Sequence, residues 1–144
     1  MKKILELGLA GMLMLAGSAG AESEVGVGLD VPVLSSYVWR GQTLNDKAVV
    51  QPSLTASKAG FAINTWANYN VDGAYDGDFS EVDLTASYSQ TVGPVALGAG
   101  IVQYLFPNQT LAVEDGEDVA YPGTVEVYAS AGLPDVPLAP TLTV

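Results

Sequence analysis

Apolar and polar residues alternate with a period of two along most of the chain. The pattern is clearest in residues 81–91, where Val82, Leu84, Ala86 and Tyr88 alternate with charged or hydroxyl-bearing residues. Residues 61–70 and 124–133 follow the same rule. Successive side chains of a β-strand point to opposite faces of its sheet, so this alternation predicts strands with one apolar and one polar face.

The same reading extends to the rest of the chain and predicts about seven antiparallel strands of an up-and-down meander. Pro52 and Pro140 fall inside two of these segments and predict bulges or distorted pairing, because proline cannot donate a hydrogen bond to a sheet. The predicted strands are residues 25–39, 49–57, 61–70, 81–91, 95–104, 124–133 and a last one that begins at Leu138.

The connections between these strands alternate between short and long. Residues 58–60, 92–94 and 134–137 are short turns, and they all fall at one end of the meander. The connections at the other end are longer and rich in acidic residues; they are residues 41–48, 71–80 and 106–122. Short turns on one side and long loops on the other are typical of transmembrane barrels of the bacterial outer membrane. A secreted β-sandwich also alternates, but it does not require every second loop to be long.

The N-terminus has the three parts of a signal peptide. Lys2 and Lys3 precede the apolar residues 7–16, and Ala19-Gly20-Ala21 forms an A-x-A cleavage site. The apolar run is shorter than the ~20 residues of a membrane-spanning helix. The sequence therefore predicts a signal peptide over residues 1–21, cleavage after Ala21, and export of residues 22–144 to the bacterial outer membrane.

Composition excludes several classes of function. The chain has no cysteine and no histidine, which rules out thiol chemistry and Ser-His hydrolases within this sequence. Its net charge of −11 argues against nucleic acid as a partner. The acid-rich loops lack the spacing of a calcium-binding EF-hand, and no nucleophile–base pair or phosphate loop is present. We expect no enzyme, no cofactor and no metal site.

The parity of the strands assigns candidate functional residues to each face. Arg40 has the inward parity, where it can meet the carboxylates of Asp30, Glu81, Asp83 or Glu126. The predicted pore-lining set is Asp30, Arg40, Gln51, Asn64, Asn68, Glu81, Asp83 and Glu126. Aromatic residues at strand ends suit the membrane–water interface, and the predicted belt is Tyr37, Trp39, Tyr69 and Tyr121. The alternative is that Tyr37 and Trp39 are ordinary core residues and Arg40 is a solvated loop residue.

Several of these segments also carry a resemblance to a known family. The stretch "SSYVWRGQTLNDKAVVQPSLTAS", followed by "GFAINTWANYN" and "SEVDLTASYS", resembles the TorF-type family of outer-membrane porins. The resemblance extends from about Val33 to the end of the chain and implies a barrel, with no catalytic residues. The residues that match the family's layout are Tyr37, Trp39, Arg40, Gly41, Gln51, Pro52, Trp66, Glu81 and Asp83.

These observations lead to a functional expectation with open alternatives. We expect the N-terminal portion of an outer-membrane porin that lets small solutes diffuse and prefers cations, because its inward face and loops are acidic. A chain that stops inside a predicted strand suggests a longer protein. The alternatives are a non-conducting structural or adhesion barrel and a secreted β-sandwich that binds a partner. The sequence identifies neither the solute nor the oligomeric state.

Overall fold

The computed structural model describes residues 24–71, 79–112 and 118–144, and these are built from β-strands. The predicted signal peptide and most of the predicted loop acids lie outside the described residues. Within them, no helix is long and apolar enough to cross a membrane. The strands are β1 (Gly26–Asp30), β2 (Val33–Leu34), β3 (Tyr37–Trp39), β4 (Gln42–Asn45), β5 (Val49–Val50), β6 (Ser53–Lys58), β7 (Phe61–Asn70), β8 (Phe79–Val92), β9 (Val95–Leu105), β10 (Thr110–Leu111), β11 (Val119–Ala120), β12 (Thr124–Gly132) and β13 (Thr141–Thr143).

The main sheet is an antiparallel meander. Its order is β1-β6-β7-β8-β9-β12-β13, so from β6 onward each long strand pairs with the next long strand of the chain. The short strands β2 and β5 pair with each other, and β5 also pairs with β7. Two hairpins, β3–β4 and β10–β11, form small sheets of their own. The prediction of an all-β antiparallel meander is confirmed, and among the described residues the path ends at β1 and β13 without closing into a barrel.

In the register of the sheet, residues of similar polarity pair with one another and form rows across the strands. One row is largely aliphatic, and the row beside it is mostly polar and points to the opposite face. The aliphatic row is Ala56, Ile63, Ala86, Ile101 and Val127, and the neighbouring row is Thr55, Asn64, Thr85, Val102 and Glu126. We call the side that carries the aliphatic row the apolar face and the other side the polar face.

Burial is inverted relative to a water-soluble protein. The polar face holds the buried side chains, among them Asn68, which is fully buried, and Glu81, which is 5% exposed. The apolar face is open: Ile63 is 70% exposed and Val127 is 74% exposed. Soluble domains rarely expose a continuous apolar surface of this extent, and they bury such a face instead. The polar side of the sheet is thus the more enclosed of its two sides.

The prediction of a single strand over residues 25–39 is wrong. The chain breaks at Pro32 and again at the bend of Ser35-Ser36, which gives the separate strands β1, β2 and β3. β3 then turns back into β4, within a segment that was predicted to be a loop. The predicted strand over residues 49–57 is also divided, at Gln51-Pro52, where the proline interrupts the pairing as expected.

The turns at the short end of the meander are tight in two of three cases. Ala59-Gly60 connects β6 to β7 with positive φ at both residues, which is the geometry of a type I′ hairpin turn. A side chain at Gly60 would meet the carbonyl oxygen of Ser89, so glycine is required there. The third connection is longer than predicted and covers residues 133–140, because the last strand begins at Thr141 instead of Leu138.

Small residues on the polar face make room for a tyrosine ring. Gly100 of β9 pairs directly with Tyr128 of β12, and Tyr128 is buried. A Cβ atom at Gly100 would lie 2.5 Å from the Tyr128 hydroxyl oxygen, closer than side-chain contacts permit. Gly100 therefore serves packing against Tyr128 and does not leave open space.

We expect Gly100→Ala to destabilise the protein by about 1–3 kcal/mol, the usual cost of forcing extra volume into a packed site. Gly28→Ala is the matched control, because a Cβ at Gly28 of β1 meets no atom within 4 Å. Urea unfolding of both variants in lipid vesicles measures the difference. Equal stability of the two variants would show that the Tyr128 ring moves aside without cost.

Candidate functional site

The β3–β4 hairpin lies against the polar face of the main sheet. The Tyr37 hydroxyl of β3 donates a hydrogen bond of 2.8 Å to Glu81 Oε2 of β8. The Tyr37 ring also packs on Trp66 of β7, with ring centroids 5.7 Å apart. Tyr37 is 7% exposed, and burial together with the carboxylates of Glu81 and Asp83 raises the pKa of its hydroxyl. The raised pKa keeps Tyr37 a neutral donor to Glu81.

The tip of this hairpin carries the arginine. Arg40 and Gly41 both have positive φ and connect β3 to β4 as a two-residue turn. The Arg40 Nη2 donates to both carboxylate oxygens of Glu126 in β12, at 2.6 and 2.7 Å. The guanidinium carbon lies 4.4 Å from the centre of the Trp39 ring, a cation–π distance. The turn therefore places the one described arginine over a carboxylate of the polar face.

A network of amide side chains joins the base of the hairpin to the sheet. Gln51 donates to Asn68, and Asn68 donates to Asn70 and to Ser80 Oγ at 3.1 and 2.8 Å. Asn45 at the end of β4 donates to the same Asn70 oxygen. Asn68 and Asn70 are fully buried, so their hydrogen bonds replace contacts with water. The Asn70 Nδ2 group is buried without a partner among the described atoms.

Acidic residues gather beneath the hairpin. Glu81 and Asp83 lie two residues apart on β8 and so share the polar face, and Tyr104 of β9 lies opposite Asp83. Asp83 Oδ1 is buried without a hydrogen-bond partner among the described atoms. We call Arg40, Glu81, Asp83 and Glu126 the charged cluster. It contains three carboxylates and one cation, which favours cations near this part of the face.

The side chains of the charged cluster can interact with water and with ions in solution. No group of three or more carboxylate, histidine or cysteine side chains within residues 24–71, 79–112 and 118–144 is placed to hold a metal ion. What the cluster offers instead is a set of ionisable and hydrogen-bonding groups, held in place by the hairpin.

A family comparison covers nearly the whole described chain. Residues 18–141 match a family described as "Bacterial protein of unknown function (Gcw_chp)". The chain belongs to this family. No curated protein and no solved structure matches the chain. The Gcw_chp description names no activity, so the roles of the site residues must be argued from their geometry.

Most of the residues predicted to line a pore lie on the polar face of this Gcw_chp protein. Asp30 is on the edge strand β1, where it is exposed and pairs with Ser53. Asn64 bonds to the hydroxyls of Ser53 and Thr55, away from the charged cluster. The hairpin brings Arg40 to Glu126, one of the four carboxylates considered for it. The remaining residues of the predicted pore-lining set also lie on the polar face of the sheet. They are Gln51, Asn68, Glu81 and Asp83.

The predicted aromatic belt needs a correction at Tyr37. The structure places Tyr37 on the polar face, because the bend at Ser35-Ser36 rotates β3 away from the parity of β1. Trp39 is half-buried and stacks on Arg40 instead of facing outward alone. Tyr69 packs against Phe79 and Tyr121 against Phe106, with centroids 5.5 and 5.7 Å apart. A membrane-interface role for Trp39, Tyr69 and Tyr121 stays a prediction.

Sequence reasoning did not identify four residues that the structure brings into or beside the site. They lie on the polar face or on the hairpin that covers it. The hairpin had a detectable signal, since the glycine of Arg40-Gly41 follows the strand-favouring segment Tyr37-Val38-Trp39 directly, as in a two-residue β-turn. Tyr104 and Tyr128 lie on predicted strands, but no local sequence pattern indicates that they contact other residues of the site. The four residues are Asn45, Asn70, Tyr104 and Tyr128.

Proposed function

We propose that these strands form part of the wall of an outer-membrane β-barrel, with the apolar face toward lipid and the polar face toward the lumen. The inverted burial of the sheet carries this proposal. In water, residues such as Ile63 and Val127 would leave a wide apolar surface without a partner. In a bilayer the same surface is solvated by acyl chains, and the strands satisfy each other's backbone groups.

We further propose that the barrel is a porin for small solutes, with a preference for cations. The support is the charged cluster, in which three carboxylates and one arginine line the polar face. Carboxylates around a narrow passage raise the local concentration of cations and repel anions. The predicted export signal and the resemblance to TorF-type porins agree with this function, and the proposal includes no catalytic step.

Reversal potentials across planar bilayers test the preference for cations. We expect the protein to favour K⁺ over Cl⁻ in a KCl gradient, and to do so less near 1 M salt, where the Debye length falls to ~3 Å. Glu126→Gln should reduce the preference, because it removes a partly exposed carboxylate of the polar face while keeping the shape of the side chain. Asp46→Asn is the control, since Asp46 is an exposed residue outside the polar face. Equal shifts in both variants, or a preference for anions, would contradict the role of the cluster.

Localisation separates the alternatives. An outer-membrane barrel fractionates with outer membranes and resists extraction by salt, whereas a secreted β-sandwich remains in the soluble fraction. A protein that inserts as a barrel but conducts no ions would favour the structural or adhesion role. The non-conducting alternative has its own support in the side chains, such as Tyr128, that fill the polar face.

A further inference from the structure

The β3–β4 hairpin extends across the polar face and does not stay at its rim. It contacts three strands of the main sheet: Asn45 bonds to β7, Tyr37 to β8 and Arg40 to β12. The order of these strands is β7-β8-β9-β12, so the contacts span three strand spacings, or about 14 Å. The hairpin therefore lies over the charged cluster and covers the part of the face that would line the lumen.

The contacts of the hairpin differ in strength between its base and its tip. At the base, Tyr37 and Glu81 are both buried, and Asn45 joins a buried amide network, so water competes poorly for these bonds. At the tip, the Arg40 and Glu126 side chains are 57% and 34% exposed. An ion pair with that exposure is weak and is screened by salt. The base is thus anchored, and the tip is held by a bond that can be broken.

We propose that the β3–β4 hairpin is the constriction of the lumen, and that the Arg40–Glu126 ion pair is the releasable latch at its tip. The inference rests on the proposed channel function. With the latch closed, the hairpin covers Glu81 and Asp83 and narrows the path along the polar face. With the latch released, the tip swings from the Tyr37 and Asn45 anchors and the path widens. Because the latch is an exposed ion pair, high ionic strength favours the open form.

Cross-linking tests the position of the hairpin without any measurement of transport. The chain has no cysteine, so paired cysteines can be introduced cleanly. Gln42 flanks the hairpin turn, and Thr124 lies on β12 two residues before Glu126 on the same face. In lipid vesicles we expect Gln42→Cys with Thr124→Cys to be joined by a short bis-maleimide, and joined less at 1 M KCl.

The matched control for the cross-link pairs Gln42→Cys with Val125→Cys. Val125 is one residue further along β12 and belongs to the exposed apolar face, so the sheet separates it from the hairpin. The control pair should not be joined at any salt concentration. Equal reaction of both pairs, or no reaction of the Thr124 pair, would show that the hairpin does not cover the polar face, whatever the protein conducts.

Single-channel recording tests the latch. Arg40→Asn removes the cation, and asparagine tolerates the positive φ of this position. At low salt we expect the fraction of time spent in the high-conductance state to rise about 1.5- to 5-fold, the range that an exposed ion pair controls. Lys47→Asn makes the same change of charge at an exposed lysine away from Glu126 and should leave that fraction unchanged.

The outcomes of the recordings separate the two proposals. A wild-type channel whose gating is the same in Arg40→Asn and Lys47→Asn would overturn the latch and leave the porin function standing. Loss of the high-conductance state after cross-linking of the Gln42–Thr124 pair would support the hairpin as the constriction. A wild-type protein that inserts into bilayers and never conducts would overturn the channel and the constriction together.

Discussion

Replacing Ile101 by arginine is expected to lower the free energy of unfolding of the lipid-inserted protein by about 2–4 kcal/mol. Ile101 lies in the middle of β9, in the aliphatic row between Ala86 and Val127. Its side chain is 46% exposed, so the arginine would project outward from the sheet. In a barrel wall that direction leads into the hydrocarbon of the bilayer, where a guanidinium group loses its hydration.

The control places the same residue on the opposite face. Thr85 of β8 pairs with Val102 of β9, the residue next to Ile101, and so belongs to the polar face. Thr85→Arg should cost far less in lipid, because the polar face leads to water. Urea unfolding in vesicles measures both variants. If the protein is a soluble β-sandwich, Ile101→Arg changes an exposed position and its effect stays within about 0.5 kcal/mol.

The main strands were predictable because their pattern is local. β7 has the bounds that alternation predicts, and β8, β9 and β12 differ from prediction by two residues or fewer at each end. The two faces were also predictable, since parity is fixed within an unbroken strand. For the same reason Glu81, Asp83 and Glu126 were assigned to the polar face correctly, from the spacing of their neighbours alone.

The hairpin was not predicted, because parity is lost wherever the chain bends. Alternation from Val25 continues through Pro32 and Ser35-Ser36 to Trp39, and this suggests one strand with Tyr37 facing lipid. The bends rotate β3, and tertiary contacts then fix it: Tyr37 bonds to a residue 44 positions away and Arg40 to one 86 positions away. No local sequence pattern indicates contacts between residues so far apart in the chain. The sequence therefore offered four carboxylates as partners of Arg40 and could not select Glu126 among them.

Because the buried face of this sheet is polar, it carries few of the large aliphatic residues that usually mark a protein core. Most buried groups here are amides and hydroxyls, such as Asn68 and Ser130, rather than large aliphatic side chains. Each must keep its hydrogen bonds on burial, because an unpaired polar group costs about 1–3 kcal/mol. The amide network therefore specifies where the hairpin base lies, while the residues of the apolar face need only be apolar. The side chains of the polar face thus determine how the hairpin packs on this sheet.

The Tyr37–Glu81 bond should make stability depend on alkaline pH. The ordinary pKa of tyrosine is about 10, and burial, with the nearby carboxylates of Glu81 and Asp83, raises the pKa of Tyr37. The folded state therefore holds this proton more tightly than the unfolded state does. The stability from Tyr37 is complete below about pH 10 and is lost at about 1.4 kcal/mol per pH unit above it.

Tyr37→Phe isolates this contribution. Near neutral pH the variant should be less stable than wild type by about 1.5–3 kcal/mol, because Glu81 loses its donor in a buried site. Above about pH 10 the two stabilities should converge, since phenylalanine has no proton to lose. Glu81→Gln should weaken the pH dependence without removing it, because burial is the largest cause of the raised pKa. Parallel curves for wild type and Tyr37→Phe from neutral to alkaline pH would show that Tyr37 is not buried against Glu81, and the hairpin would then lack its anchor.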